Sequence, residues 1–244
     1  VGTAGQIFAY NLESAMSRQL TWHWPTIDTR ASESQGPYSL YPVQTPTAFK
    51  SHDDGVDHTT YSWPTWSPKG ERIACFGHTS SNRGAQILTV TSDGAESVEL
   101  VNTKKGSVIY GNWSSDAKLF TFIAWYGDGS LSLESVLTDA PEEPRVLLNG
   151  GPLFWSWSPT RPLLAVHSSQ QSQPNAGRVL ILDPYSGEVV QEVTNSAGYF
   201  RTPSWCPEGD LLAYAERNTD GTQSLRLFNT DGETSVPVTV TNGS

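Results

Sequence analysis

The sequence predicts an all-β fold, a β-propeller of four-stranded antiparallel blades, and three observations carry that expectation. A Trp-led motif recurs at intervals of more than forty residues. Short β-rich segments recur in the second half of each interval, and tight-turn residues separate them. Composition agrees: 9 Trp, 9 Tyr, 8 Phe, 21 Gly and 16 Pro in 244 residues suit pleated sheets joined by turns. No window keeps a 3.6-residue apolar stripe over three turns, so long amphipathic helices are not expected.

The motif reads WSPKGERIACFG from Trp66, WSSDAKLFTFIA from Trp113, WSPTRPLLAVHS from Trp157 and WCPEGDLLAYAE from Trp205. The Trp spacings are 47, 44 and 48 residues. Seven residues after each Trp an apolar triplet begins: Ile73-Ala74-Cys75, Phe120-Thr121-Phe122, Leu164-Ala165-Val166 and Leu212-Ala213-Tyr214. A degenerate fifth copy, WPTIDTRASES, starts at Trp24, 42 residues before Trp66.

Each unit resolves into four strands. Strand A ends at the Trp, where the indole offers a flat surface for a neighbouring blade. Pro68, Pro159 and Pro207 preset φ for the A–B turn. Strand B carries the triplet, with small Ala74, Ala165 and Ala213 in a crowded position. Strand C appears as QILTVT from Gln86, RVLILD from Arg178 and SLRLFN from Ser224. Ser92-Asp93-Gly94, Tyr185-Ser186-Gly187 and Asp231-Gly232 then supply the turn residues of tight hairpins. Strand D follows at Val98–Val101, Val189–Val193 and Val236–Val240. At the N-terminus QIFAYN, from Gln6, has the form of strand C, so residues 1–20 are expected to be half a blade. Units of this length with four strands are the sequence signature of propeller blades, whose faces are covered by their neighbours. The expectation is one domain over residues 1–244, with five repeats and a partial blade of a six-bladed ring, within a chain that is a candidate piece of a longer polypeptide.

The W-S-P-x-G-x-x-Φ-A pattern resembles the TolB-type β-propeller repeat. Similar repeats occur in propellers of prolyl-oligopeptidase-type enzymes and of some pectin-oligosaccharide lyases. The Trp113 unit departs from the pattern, with Ser-Ser-Asp-Ala in place of Ser-Pro-x-Gly. The resemblance implies a protein-interacting scaffold in a periplasmic or extracellular setting.

Charge and motifs narrow the function. The net charge is −10 and the pI about 4.9, with Lys104-Lys105 as the one basic pair, which disfavours a nucleic-acid partner. The longest apolar run, Phe120 to Tyr126, is too short for a membrane span, and VGTAGQIFAY lacks the marks of a signal segment. Cys75 and Cys206 lie in different repeats, form no CxxC or zinc pattern, and are not expected to pair. A G-x-S-x-G elbow, a P-loop and a dinucleotide fingerprint are all absent. Gly127-Asp128-Gly129 reads as a B–C turn. Asn112-Trp113-Ser114 matches a glycosylation sequon by chance, its middle residue being a repeat Trp.

Candidate site residues gather at one end of the predicted blades. D–A and B–C connections share that end, and A–B and C–D turns share the other. The D–A connection HDDGVDH places His52, Asp53, Asp54, Asp57 and His58 there. Two readings stay open for it: a solvated acidic loop turning at Gly55, or a site for a divalent ion. It fits neither HExxH nor the EF-hand loop. His78, Trp125, Tyr126 and His167 follow strand B of their units, and Arg201 lies on a D–A connection. His78 and His167 occupy nearly matching places, and the lyase relatives are expected to hold metal through histidines in their propeller. No cofactor is assigned, with a channel metal left as the alternative.

Three functions compete on these residues. The first is a non-catalytic scaffold that binds a protein or peptide on the D–A and B–C loops. The second is a metal-dependent oligosaccharide lyase or glycosidase-type propeller. The third is the regulatory propeller of a multidomain peptidase. A repeat array without a catalytic motif favours the scaffold.

Overall fold

A computed structural model describes residues 8–11, 16–19, 59–79, 85–103, 106–151, 153–170, 173–198, 202–232 and 234–238. These residues are all strand, turn and connection, so among them no helix is long and apolar enough to cross a membrane. The chain forms two compact units. One comprises Val1–Val108 with Ala140–Glu142, the other Ile109–Asp139 with Glu143–Ser244.

In the first unit β1 (Phe8–Asn11) and β2 (Met16–Gln19) form an antiparallel pair. A four-stranded antiparallel sheet follows in sequential order: β3 (Thr59–Trp66), β4 (Arg72–Thr79), β5 (Ala85–Thr91) and β6 (Ser97–Thr103). Ile73, Cys75, Leu88 and Val90 alternate onto one face with Tyr61 and are buried there. The Trp24 repeat lies outside the described residues.

Apart from the first two residues of its opening strand, the second unit begins with a sequential sheet of β7 (Ser107–Trp113), β8 (Leu119–Trp125), β9 (Leu131–Leu137) and β10 (Arg145–Asn149). The C and D strands of this repeat, β9 and β10, had no counterpart in the motif alignment. Next come β11 (Leu153–Trp157), β12 (Leu164–Gln170), β13 (Gln173–Leu182) and β14 (Val189–Ala197). The last repeat is β15 (Ser204–Trp205), β16 (Leu211–Arg217), β17 (Gln223–Asn229) and β18 (Thr234–Pro237). These two repeats merge into one eight-stranded sheet, because Ala197 at the end of β14 pairs with both Gly177 and Glu216. Strand D of one repeat thus runs straight into the start of the next, and only a two-residue A strand follows.

Packing between repeats explains the strand sequences. Ile123, Leu133 and Leu147 of the Trp113 repeat meet Trp155, Leu164, Val166, Leu180 and Leu182 of the Trp157 repeat. Ala165, Val179 and Ile181 on the far face of the Trp157 repeat meet Leu212, Tyr214 and Phe228 of the Trp205 repeat. A middle strand covered on both faces loses the alternation of a half-exposed strand and becomes a continuous run. LFTFIA in β8 is buried at all six positions.

The repeat Trp does more than present a flat face. Trp157 Nε1–H donates to Thr121 Oγ1 (3.1 Å) in the preceding repeat, and Trp205 Nε1–H donates to the Ser156 carbonyl (3.2 Å). Each indole therefore fastens its blade to the one before it. Trp113 is buried edge-on against Phe120, whereas Trp66 is 51% exposed, so burial at this position is not uniform.

The residue after the Trp closes the A–B hairpin. Ser67 Oγ accepts from the Arg72 amide (3.0 Å), and Ser114 Oγ from the Leu119 amide (2.9 Å). Cys206 Sγ accepts from the Leu211 amide (3.3 Å), so Cys substitutes for Ser in the same role. The third residue beyond is left-handed in three of the turns: Gly70 at φ 72°, Ala117 at 63° and Gly209 at 79°. Gly94 and Gly187 also have positive φ, as expected of the C–D turns. Gly232 does not; the Asn229 Oδ1 accepts from its amide and from that of Asp231 instead.

Candidate functional site

Antiparallel order sets the A–B and C–D turns at one end of each sheet and the B–C hairpins at the other. In the second unit the first of these ends is sealed between repeats. Arg161, on an A–B turn, donates to the Gly209 carbonyl (2.8 Å), to Thr230 Oγ1 and to Asp231 Oδ1 (3.3 Å) of the next repeat. Tyr185 donates to Asp116 Oδ2 (3.4 Å) and Ser135 to the Pro184 carbonyl (3.3 Å). Burial acts to raise the Asp116 carboxyl. The Ser114 hydroxyl, the Lys118 amide and charge, and Tyr185 outweigh it and hold that carboxyl below its ordinary range.

The B–C end is built differently. The hairpin after β8 turns through Gly129 (φ 87°), with the Gly129 amide donating to the Tyr126 carbonyl (2.9 Å). Asp128 Oδ1 accepts from the Ser130 hydroxyl (2.6 Å) and amide (2.8 Å), and these bonds lower its carboxyl. Trp125 closes the strand opposite Leu131 and is 44% exposed. Tyr126 folds back over the sheet, and its hydroxyl donates to Glu134 Oε1 at 2.5 Å. Ser132 Oγ donates to the same oxygen, also at 2.5 Å.

Glu134 is 5% exposed. The register pairs it with Phe122, and Ser132 with Ala124. Burial first, and then the Glu134 carboxylate, raise the Tyr126 hydroxyl above its ordinary value, so the proton stays on the phenol. Tyr126 is among the residues the sequence places at this end, and Glu134 is not. The one available signal was a carboxylate in the otherwise uncharged strand LSLESVL.

His167 lies within the packed sheet, 4% exposed, edge-on to Phe154 with ring centroids 6.3 Å apart. Its Nε2–H donates to the Gly198 carbonyl (3.2 Å), so the ring braces β12 against the chain leaving β14. A Cβ at Gly177 would come within 3.2 Å of that nitrogen, which leaves room only for glycine beside the ring. The neighbouring strands carry a second brace, in which Glu216 accepts from Thr194 (3.0 Å) and pairs with Arg226 (3.2 Å). Tyr110 stacks on Trp155 (4.7 Å between centroids) and donates to the Leu153 carbonyl (2.8 Å); burial pushes its phenol up to about 12.

In the first unit His78 pairs across the sheet with Thr60, and its Nε2 lies 3.1 Å from Ser62 Oγ. Just beyond, β3 bulges between Ser62 and Thr65. There Trp63 adopts φ 54° ahead of Pro64, half exposed and parallel to Phe76 at 6.5 Å. A left-handed aromatic residue is a strained conformation that no sequence signal marked. Burial and the nearby Cys75 thiol raise the Tyr61 phenol, and burial pushes the Cys75 thiol up to about 12. Both cysteines are free.

The remaining sequence candidates, His52, Asp53, Asp54, Asp57, His58 and Arg201, lie outside the described residues. Among the described residues no group of three His, Cys, Asp or Glu side chains could hold a metal ion. Tyr126 and His167 belong to separate arrangements on different repeats, one built around a carboxylate and the other around a backbone carbonyl.

No family model matches the sequence, and no curated protein matches it. Solved structures do. A manganese complex of oligogalacturonate lyase is similar over 95% of this chain and 58% of its own, at 13% identity and a TM-score of 0.58. The β-propeller domain of the trilobed protease from Pyrococcus furiosus, described as having an open velcro topology, matches 75% of this chain and 57% of its own at 13% identity and a TM-score of 0.55. TolB from Acinetobacter baumannii matches 75% of this chain and 44% of its own at 13% identity and a TM-score of 0.50. This chain thus spans about half the length of the structures it matches. With four-stranded antiparallel sheets in sequential repeats and these structural neighbours, the chain has the β-propeller fold, of which TolB is one instance.

Proposed function

We propose that this chain is a non-catalytic scaffold that binds a protein or peptide partner through the loops at the B–C and D–A end of its blades. The observation that supports it is the contrast between the two ends in the second unit. The A–B and C–D end uses its polar groups between repeats, through Arg161, Asp116 and Tyr185. The B–C end presents Trp125, 44% exposed at the close of β8, and a hairpin whose Asp128 bonds only within its own turn. Trp is among the residue types enriched at interaction hot spots. The test is capture of partners from an extract of the source organism, with cross-links mapped by mass spectrometry. Cross-links on residues 125–130 and 218–222 support the reading. An inert, monodisperse protein, or cross-links confined to the A–B and C–D turns, refutes it.

The lyase-type reading has one observation in its favour, the likeness to a manganese-bound lyase across nearly the whole chain. It requires stoichiometric divalent metal in protein purified without chelators, and loss of that metal when His52 and His58 are replaced by alanine.

A further inference from the structure

Trp125 faces the seam between two repeats without being covered by it. Alternate residues of β8 share a face. Thr121 takes the Trp157 indole N–H, and Ile123 lies in the core shared with the Trp157 repeat, so Trp125 is the third residue on that face. Its cross-strand partner Leu131 is half-buried and packs on the same core. Across the seam, Leu164 and Val166 of β12 and Leu180 and Leu182 of β13 face this core. The next alternate positions toward the B–C end are Ser168 and Arg178, which pair with each other. Trp157 pairs with Leu164, so Thr121 and Leu164 stand level across the seam. Four residues further toward the B–C end of each strand, Trp125 and Ser168 are level in turn.

Arg178 is already oriented. Its Nε and Nη2 both donate to Glu192 Oε2, the former at 3.1 Å, and both side chains reach solvent. Nη1 makes no hydrogen bond among the described residues. We propose that Trp125, Leu131 and Arg178 form a subsite for an aromatic side chain of a peptide partner, together with an uncharged main-chain carbonyl beside it. The inference rests on the scaffold reading and names what the B–C end recognises. The indole gives an aromatic ring an offset or edge-on partner, and Leu131 supplies an apolar floor. The guanidinium plane is held by Glu192, so it loses little freedom when Nη1 donates to a carbonyl. Charge selects the neutral acceptor. Arg178 and Glu192 cancel, and the whole chain carries −10, so a carboxylate gains nothing from the pair and is repelled by the rest. Arg joins Trp among the residue types that dominate binding energy at interfaces.

The test uses the whole chain and N-acetyl-phenylalanine methylamide, followed by NMR chemical-shift titration. Two comparison probes are N-acetyl-alanine methylamide, which lacks the ring, and N-acetyl-phenylalanine, which carries a carboxylate. The wild type is expected to show saturable shifts at the Trp125 indole N–H and the Arg178 guanidinium. The alanine probe should bind at least about tenfold more weakly, the size expected for loss of a stacked, buried ring. The free acid should bind no more tightly than the methylamide. Trp125→Ala and Arg178→Gln should each weaken the methylamide by about tenfold, the second through loss of a charged donor. No saturable response in the wild type, an equal response to the alanine probe, or tighter binding of the free acid overturns the proposal. A response to methyl glucoside with none to the peptide probe does so too, as does an undiminished response in a folded Trp125→Ala or Arg178→Gln variant. If neither variant folds, the comparison of the probes on the wild type decides the matter. A partner captured from extract with undiminished yield by a folded Trp125→Ala variant sinks this subsite and leaves the scaffold reading standing. Probe binding with no partner captured does the reverse.

Discussion

Replacing Ala117 with glycine is expected to stabilise the protein. Ala117 sits at φ 63° in the A–B turn of the Trp113 repeat, where the Trp66 and Trp205 repeats have Gly70 and Gly209. A left-handed conformation costs a residue with a Cβ about 1–2 kcal/mol relative to the right-handed one. Glycine removes that cost but gives the unfolded chain more freedom, which returns about 0.4–1 kcal/mol. The bonds around the residue are made by its backbone. The Ala117 amide donates to the Ser114 carbonyl (3.0 Å), and the Ala117 carbonyl accepts from Thr138 Oγ1 (2.7 Å), so both survive the substitution. The net gain is about 0.5–1 kcal/mol. In urea, with a slope of about 1–3 kcal/mol per molar, the midpoint should rise by a few tenths molar at unchanged slope. Gly70→Ala is the control. Its new Cβ meets nothing within 4 Å, so the loss there isolates the backbone cost alone. Gly209→Ala should lose more, since its Cβ would collide with Thr160 Oγ1. A lower midpoint for Ala117→Gly, together with no loss in Gly70→Ala, would refute the reasoning.

Three further outcomes follow from the structure. Trp157→Phe keeps an aromatic ring but removes the pyrrole N–H that reaches Thr121. It should cost about 1–2 kcal/mol, and a double-mutant cycle with Thr121→Val should recover most of that as coupling; additive losses would show that the indole only packs. Because the Asp116 carboxyl is held low in the folded protein, its contribution is present above the ordinary carboxylate range and is lost as pH falls through the lowered value. Acid titration of stability should therefore be shallower in Asp116→Asn than in the wild type, and identical slopes would remove Asp116 from the acid transition. Cys75 is fully buried, with its thiol pushed up to about 12, so iodoacetamide should modify it only after unfolding, whereas the partly exposed Cys206 should react in the native protein. Mass spectrometry after labelling with and without denaturant reads this directly, and native alkylation of Cys75 would contradict its burial.

What the sequence by itself determined is the repeating strand order. A Trp, a Ser or Cys, a turn and an apolar triplet specify a hairpin through neighbours within about a dozen residues, and the same local instructions recur along the chain. Ser67, Ser114 and Cys206 show this directly, each closing its own turn five residues on. Only the tertiary structure decided which polar residues are buried and what they bond. In LSLESVL the alternation puts Ser132, Glu134 and Val136 on one face, a pattern that in a sheet with one wet face would mean solvent. In β9 both faces are covered, and Glu134 becomes a buried carboxylate under Tyr126. His167 likewise has the look of a hairpin-end residue, yet it is buried against Gly198, 31 positions along the chain. Strand periodicity is written locally, but the burial that gives a charge or an imidazole its role is set by sheets packing face to face, and that information is carried jointly by residues far apart in sequence.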